Sequence, residues 1–326
     1  MIVVTGAAGF IGSNLVWALN EAGRDDVVVC DWLGSDQRWL NLRKRMFRDF
    51  VFPEDLLASC RRERPEAILH MGANSSTVAL DGDEMLRVNT KFTLALIDYC
   101  AEAGVSLIYA SSAATYGEGE NGFVDDDSLA ALKRLRPLNL YGWSKHAFDL
   151  LVLRSLALLQ ERPPQWAGLK FFNVYGPNEY HKGNMISVVK VKHDEVAAGG
   201  PARLFRSDQP GLADGAQARD FIWVGDVVDV MLWLLDTPSA NGLFNLGTGR
   251  ARSYLDLAHA VCDAAGAPRR IAFIDMPGAL HGQYQNFTEA RMERLRAAGY
   301  AGQFTPLEEG VRRYVQDFLA TSDPYL

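Results

Sequence analysis

The fold is decided by the stretch Ile2-Val3-Val4-Thr5-Gly6-Ala7-Ala8-Gly9-Phe10-Ile11-Gly12. Its first four residues are β-branched, which is typical of a buried strand. Three glycines follow with GxxGxxG spacing, and the amphipathic residues Ile11–Glu21 predict a helix directly after them. A glycine turn between a strand and a helix lets the backbone approach a phosphate closely, and it places the helix N-terminus against that phosphate. The stretch therefore predicts a dinucleotide-binding turn.

The same order, a short apolar run and then an amphipathic segment, repeats along the first two-thirds of the chain. Further strands are predicted at Val27–Asp31, Ala67–His70, Leu107–Ala110 and Leu169–Phe172, and further helices at Asp83–Ala103 and Tyr141–Gln160. Strands that alternate with helices form a parallel, doubly wound sheet. We therefore predict an α/β, Rossmann-like fold.

The alternation becomes less regular after Gly176-Pro177. The segment Gly199–Gln217 is rich in Gly, Pro, Ala and Asp, so it predicts a mobile surface loop. Beyond it we predict strands at Leu243–Leu246 and Ile271–Ile274, a helix at Ser253–Ala265, and two closing helices. We expect a nucleotide-binding domain over 1–172, with a returning segment at about 219–250. A smaller α/β C-terminal domain, 173–326, would mainly bind the substrate.

Composition excludes several classes of partner. The 326 residues include 33 basic and 40 acidic side chains, a formal net charge of −7, so a surface that neutralises nucleic-acid phosphates is not expected. No run of about eighteen apolar residues predicts a membrane span. The four cysteines are far apart and form no CxxC pair. We therefore expect no metal site, no disulfide framework and a cytoplasmic location.

Two side chains after the second predicted strand point to different cofactors. Asp31 ends that strand about twenty residues beyond the glycines, where a carboxylate accepts a hydrogen bond from the adenosine ribose, as in NAD binding. Arg38 follows closely and could receive the 2′-phosphate of NADP, or it could be a solvated loop cation. These residues alone leave the choice between NAD and NADP open.

A second group of residues predicts redox chemistry at a hydroxyl. Tyr141 and Lys145 begin a predicted helix with i, i+4 spacing, which puts both side chains on one face. A nearby ammonium group would lower the pKa of the phenol and make it a better base. Ser112 ends the strand before this helix, where open α/β sheets bind ligands, although most such serines only cap a turn.

The chain resembles the extended short-chain dehydrogenases over nearly its whole length, through Gly6–Gly12, Ser112, Tyr141, Lys145 and the stretches at 219–224 and 244–249. More narrowly, it resembles the ADP-L-glycero-D-manno-heptose 6-epimerases. The residues that carry this second resemblance are those at 109–117, 137–142, 172–177 and 181–183. The resemblance implies epimerisation at C6″ of ADP-heptose with bound NADP, for the heptose of the lipopolysaccharide core. It also implies a homo-oligomer, often a pentamer.

The resemblance further implies a role for each matching residue. Catalysis would involve Tyr141, Lys145, Lys182 and Ser112. The cofactor would be bound by Gly6, Gly9, Phe10, Ile11, Gly12, Asp31, Trp32, Arg38, Gly72, Ala73, Asn74, Ser75, Lys145, Val174 and Lys182. The substrate would be bound by Ser112, Asn173, Asn184, Phe205, Ser207, Arg219 and Tyr284. The chain departs from the family pattern at Pro53, Met71, Asn74 and Val191.

The resemblance implies that Lys182 is a second acid/base group, which suits an exocyclic epimerase. An alcohol C–H is not acidic, so inversion at a carbinol carbon is achieved by transient oxidation to a ketone. Rotation about an exocyclic bond moves the hydroxyl towards another part of the binding site, where a second acid/base group is useful. A solvated loop lysine is the alternative for Lys182. The rival functions are a ring 4-epimerase such as UDP-glucose 4-epimerase, a 4,6-dehydratase, a net dehydrogenase and a non-catalytic NAD(P)-binding sensor.

Overall fold

A computed structural model describes residues 1–158, 162–278 and 285–326. Its strands are β1 (Ile2–Thr5), β2 (Val27–Cys30), β3 (Asp49–Val51), β4 (Ala67–His70), β5 (Ser106–Ser112), β6 (Trp166–Phe171), β7 (Asn173–Tyr175), β8 (Ala202–Phe205), β9 (Ala218–Arg219), β10 (Phe221–Trp223), β11 (Gly242–Leu246), β12 (Arg252–Ser253) and β13 (Ile271–Ile274).

The α-helices are α1 (Phe10–Glu21), α2 (Leu56–Glu63), α3 (Gly82–Met85), α4 (Phe92–Ala103), α5 (Leu129–Leu132), α6 (Leu140–Leu158), α7 (Val188–Ala197), α8 (Val224–Leu235), α9 (Tyr254–Ala264), α10 (Glu293–Ala297) and α11 (Leu307–Arg313). Short 3₁₀ helices cover Gln37–Asn41, Ala113–Tyr116 and Tyr180–Met185, and π-helical turns cover Leu86–Lys91 and Tyr314–Leu319.

The main sheet has seven parallel strands in the order β11-β6-β5-β4-β1-β2-β3. All four residues of β1, β2 and β4 are buried, which explains their continuous runs of Val, Ile and Leu. The order reverses between β1 and β4. In an open parallel sheet, such a reversal leaves a crevice at the carboxyl ends of the strands, where ligands bind. The predicted Rossmann-like fold is confirmed.

The C-terminal part is built on smaller sheets. Strands β7 and β10 pair in parallel, as do β8 and β13, and β9 pairs antiparallel with β12. A second hydrophobic cluster joins β7 and β10 to α9 and α11 through Tyr175, Trp223, Val261 and Val311. Strand β11 returns to the main sheet beside β6. The division into domains at 172 stays a prediction.

The structure corrects the interpretation of Gly199–Gln217. We predicted a mobile surface loop, but Ala202–Phe205 is strand β8, paired with β13, and Ala202 and Leu204 are buried. A four-residue strand between glycine- and proline-rich flanks gives little periodicity, so the composition of the whole segment misled the prediction. Residues 206–217 follow it as turns and bends.

Other element boundaries differ locally from the prediction. The helix predicted over Asp83–Ala103 is divided into α3, the π-helical turn and α4. Strand β3 and helices α2, α7 and α8 were not predicted. Helix α8 ends in a continuous apolar run at 230–235, and such a run can belong to a strand as well as to a helix. The predicted end of α6 falls on residues 159–160, outside the described residues.

Three further findings bear on partners. Among residues 1–158, 162–278 and 285–326, no helix is both long and apolar enough to cross a membrane. No cluster of three or more His, Cys, Asp or Glu side chains within those same ranges is arranged to hold a metal ion. All four cysteines are buried and unpaired, as expected for small core residues.

Candidate active site

A cavity of about 970 Å³ lies at the carboxyl ends of the central strands. It is bordered by the glycine turn after β1, the loop after β4, the start of α6 and the segment around β7. The predicted site residues that line it are Gly6, Gly9, Phe10, Ile11, Gly12, Asp31, Trp32, Arg38, Gly72, Ala73, Asn74, Ser75, Ser112, Tyr141, Lys145, Asn173, Val174, Lys182 and Asn184.

The glycine turn is packed so tightly that side chains are excluded from it. Gly6 has a φ of +62°, and a Cβ at this position would lie 2.6 Å from the Gly72 backbone nitrogen. A Cβ on Gly12 would lie 2.1 Å from the Gly6 carbonyl oxygen. Gly9 precedes α1 and provides no side-chain cap. The first turn of α1 therefore borders the cavity without a capping side chain, as an anion site requires.

The loop Met71–Ser75 forms the facing wall and is fixed from behind by Asn89. The Asn89 side chain accepts a hydrogen bond from the Asn74 backbone N–H at 2.8 Å, and it donates to the Asn74 carbonyl at 2.9 Å. It also donates to the Ser144 hydroxyl at 3.0 Å, which ties the loop to α6. Sequence reasoning missed Asn89, because an Asn inside a long helical segment carries no local signal for this contact.

Asp31 binds the glycine turn itself. One carboxylate oxygen accepts from the Ala8 N–H at 2.9 Å, and the other accepts from the Trp32 N–H at 2.8 Å. Burial raises the pKa of Asp31, and these backbone hydrogen bonds oppose the rise. Because Asp31 also lines the cavity, it can accept from a ribose hydroxyl while it holds the turn in place.

Arg38 lines the cavity but is already paired. Its guanidinium donates to both carboxylate oxygens of Asp36, at 2.7–3.1 Å. In the same wall the Trp32 indole N–H donates to the Glu54 carboxylate at 3.0 Å. Glu54 was not predicted as a site residue, because a single acidic residue on a loop gives no recognisable signal.

Tyr141 and Ser112 lie together in the cavity wall. Burial raises the pKa of the Tyr141 phenol, and a hydrogen-bonding interaction with Ser112 opposes the rise. The Ser112 hydroxyl also accepts from the Ala114 N–H at 3.1 Å and caps the following 3₁₀ helix. Ser112 therefore both caps the 3₁₀ helix and lines the cavity.

Lys145 is buried one turn beyond Tyr141. Its Nζ donates to the Ala110 carbonyl at 2.8 Å. Burial lowers the pKa of Lys145 to about 8, and the Asp149 carboxylate opposes this effect. We expected Lys145 to lower the pKa of Tyr141. In the structure a hydrogen-bonding interaction with Ser112 acts to lower the pKa of Tyr141, and the Lys145 ammonium group donates to the Ala110 carbonyl. The expected effect of Lys145 on Tyr141 stays a prediction.

Lys182 reaches the same cavity from the 3₁₀ helix Tyr180–Met185. Its Nζ lies 5.0 Å from the centroid of the Phe10 ring and 4.0 Å from a Glu179 carboxylate oxygen. Burial lowers the pKa of Lys182, and Glu179 opposes this effect. Glu179 is itself fully buried and accepts hydrogen bonds from Ser187 and Tyr314, so it anchors the segment that carries Lys182.

The predicted substrate residues are only partly brought together. Ser112, Asn173 and Asn184 line the cavity, whereas Phe205, Ser207 and Arg219 do not belong to its described lining. The Arg219 guanidinium donates to the carbonyls of Ala218 and Gln285. Tyr284 lies outside the described residues. Lining residues that sequence reasoning missed include Glu54, Thr77, Arg87 and Met185.

Comparison with known proteins identifies the family of this chain. A model of the NAD dependent epimerase/dehydratase family matches residues 2–247. The chain belongs to this family. A relative from Nitratidesulfovibrio vulgaris (strain DP4), named ADP-L-glycero-D-manno-heptose-6-epimerase, is 49% identical over 330 residues, and all of both chains is covered. The predicted resemblance is confirmed.

Solved structures of the epimerase/dehydratase family share the fold. The Helicobacter pylori ADP-L-glycero-D-manno-heptose-6-epimerase matches with a TM-score of 0.80 and 27% identity, covering 98% of this chain and 96% of that chain. A Thermus thermophilus UDP-glucose 4-epimerase in complex with NAD matches with a TM-score of 0.77 and 29% identity, covering 98% and 99%. The cavity thus lies in a fold on which related enzymes act on nucleotide sugars.

Proposed function

We propose that this protein epimerises ADP-D-glycero-D-manno-heptose at C6″, giving ADP-L-glycero-D-manno-heptose. The observation that carries the proposal is the single cavity in which the glycine turn, the Tyr141–Lys145 pair and a second buried amine, Lys182, meet. The 49% identity over the full length to a relative of that name supports the choice of sugar. A non-catalytic sensor would not need two acid/base groups on one wall.

The glycine turn fits a dinucleotide. Side chains at Gly6 and Gly12 would collide with backbone atoms, so the turn remains narrow and its backbone can approach a phosphate closely. The free N–H groups at the start of α1 would bind the pyrophosphate. Asp31 and Lys145 would bind the two riboses, since one carries an accepting carboxylate and the other a donating ammonium group.

When bound, the nicotinamide cofactor would supply reversible hydride transfer at the carbinol carbon, with no net redox change. Tyr141 would hold the proton of the sugar hydroxyl, and Ser112 would orient that hydroxyl. Lys145, when protonated, would stabilise the Tyr141 phenolate. The buried wall around these groups would keep water away from the ketone and strengthen each electrostatic interaction.

Lys182 would be the acid/base group for the sugar oxygen after the exocyclic bond has rotated. After rotation about the exocyclic bond, the ketone oxygen lies away from Tyr141 and needs another proton donor. The pKa of Lys182 is lowered by burial, which brings the amine nearer to the range in which it exchanges protons at neutral pH. Its support by Glu179 would keep the Nζ atom in place between the two half-reactions.

The proposal also covers the cofactor, the cellular location and the assembly of the protein. The cofactor would be NADP, with Arg38 as the cation that receives the 2′-phosphate. The protein would act in the cytoplasm, in the supply of heptose for the lipopolysaccharide core, as a homo-oligomer. The family resemblance supports these points, and the position of Arg38 in the cavity wall supports the first.

Incubation of the purified protein with ADP-D-glycero-D-manno-heptose, and separately with UDP-galactose, tests the proposal. NMR of the sugar protons should show inversion at C6″ of the heptose and no conversion of the hexose ring. UDP-galactose is the informative alternative because a structural neighbour is a UDP-glucose 4-epimerase. Inversion at C4 of the hexose with an unchanged heptose would contradict the proposal.

A further inference from the structure

Asp36 and Arg38 form a forked ion pair at the edge of the cavity that follows β2. The Arg38 Nε atom donates to the two Asp36 oxygens at 2.9 and 3.1 Å, and Nη2 donates at 2.7 Å. Arg38 lines the cavity. The guanidinium fork has the geometry that binds a carboxylate or a phosphate with two parallel hydrogen bonds. In this protein a carboxylate of the same chain already occupies it.

The pair is fixed by local structure. Asp36 precedes the 3₁₀ helix Gln37–Asn41 and accepts from the Arg38 backbone N–H at 2.9 Å, so it caps that helix. Asn41 at the other end donates to the Ala8 carbonyl at 2.8 Å and joins the helix to the glycine turn. Arg38 holds the pKa of Asp36 at about 2, so the carboxylate is ionised at neutral pH.

The surrounding charge is unfavourable for a second anion. The nearby lining residues Asp31 and Glu54 are acidic, and Pro53 carries no charge. Asp36 and Asp31 both act electrostatically on the Arg38 guanidinium. A phosphate monoester carries a charge of about −1.5 to −2 at pH 7. Its attraction to Arg38 must therefore compete with Asp36 and with the repulsion of Asp31, whereas a ribose hydroxyl needs only a hydrogen-bond acceptor.

We propose that Asp36 is a specificity-determining residue that occupies Arg38 and thereby limits the preference of this protein for a 2′-phosphorylated dinucleotide. NAD is then a usable cofactor beside NADP. The inference rests on the proposed binding of a dinucleotide in the cavity, and it concerns the ribose phosphate rather than the sugar substrate.

Direct binding measurements test this inference. Dissociation constants for NADP and NAD are measured by titration calorimetry on protein freed of copurified nucleotide, for the wild type and Asp36→Asn. Asn retains an acceptor for the helix cap but has no charge. We expect wild-type affinities for the two nucleotides within about tenfold of each other. Asp36→Asn should tighten NADP binding by about fivefold and leave NAD binding unchanged.

Two controls make the result specific. Asp263→Asn removes a comparable fork, with Arg269, that does not line the cavity, so it should change neither affinity. In an Arg38→Met background, Asp36→Asn should no longer favour NADP. Asp36→Ser, which also caps a helix, repeats the test if Asp36→Asn folds poorly.

An unchanged affinity ratio in Asp36→Asn, an equal effect on both nucleotides, or the same effect from Asp263→Asn would overturn the inference. Binding is measured without sugar nucleotide, so it is independent of the proposed substrate. Failure to epimerise ADP-heptose would contradict the proposed function alone, whereas failure to bind either dinucleotide would contradict both.

Discussion

Tyr141 and Lys182 approach one cavity from distant parts of the chain, α6 and the 3₁₀ helix Tyr180–Met185. Burial acts on both side chains in the direction that favours their neutral forms, raising the pKa of the phenol and lowering that of the ammonium group. In the proposed mechanism each side chain exchanges a proton with the substrate at one end of its rotation. The proposed two-position epimerisation depends on this arrangement.

Tyr141→Phe and Lys182→Met should each lower kcat for ADP-heptose by about 10²-fold or more, because each removes an acid/base group. Tyr300→Phe and Lys190→Met are matched controls, since neither residue lines the cavity. Circular dichroism should show an unchanged fold in all four variants. Full activity in both Tyr141→Phe and Lys182→Met would refute the two-base assignment.

Lys145 should set a falling limb in the pH profile of kcat/KM. Below its pKa of about 8 the ammonium group is charged and would stabilise the phenolate in the proposed mechanism. As pH rises through that value the charge is lost. We expect kcat/KM to fall above about pH 8. Lys145→Arg should move this limb to higher pH, because a guanidinium keeps its proton, even if the maximal rate is lower. A limb at the same pH in both proteins would contradict the assignment.

At the scale of elements, the proposed cofactor site depends on the backbone geometry of the turn between β1 and α1. Gly6, Gly12 and Gly72 bring two loops into contact where the strand order reverses. Asp31 then ties the turn to the end of β2 through the Ala8 N–H. The phosphate site is consequently preorganised, and its affinity depends on the close approach of these backbones.

Gly12→Ala should abolish dinucleotide binding while the rest of the sheet remains folded. The added Cβ would lie 2.1 Å from the Gly6 carbonyl oxygen, so the turn must open. Gly82→Ala is the control, since a Cβ there meets nothing within 4 Å. Calorimetric titration with NADP and NAD measures the effect. Wild-type affinity in Gly12→Ala would show that the turn does not hold the pyrophosphate.

At the scale of the whole molecule, the sequence predicted most of the main sheet because β1, β2, β4 and β5 are short apolar runs separated by helices. The glycine turn, Tyr141 and Lys145 were found for the same reason, since their spacing is local. Contacts between distant segments were not predictable: Asn89 with Asn74, Glu179 with Lys182, and the Trp32 side chain with Glu54. These pairs are brought together only by the folded sheet.

In the C-terminal part, too, contacts between distant segments could not be predicted from the sequence. Strand β8 pairs with β13 across about 70 residues of sequence, and although β13 was predicted, no local pattern marks β8 or the pairing. For Phe205, Ser207 and Arg219 the resemblance implied substrate contacts, yet none of them belongs to the described lining of the cavity. Their roles stay predictions, and a family motif alone does not place a side chain against a ligand.

The central claim is that the stereocentre is inverted by removing a hydride and returning the same one. It is tested most directly with ADP-D-glycero-D-manno-heptose carrying deuterium at C6″, incubated with the enzyme in ordinary water and analysed by mass spectrometry and NMR. We predict that the inverted product retains the deuterium at C6″. Loss of the label to water would show that inversion proceeds through a proton, and it would contradict the mechanism.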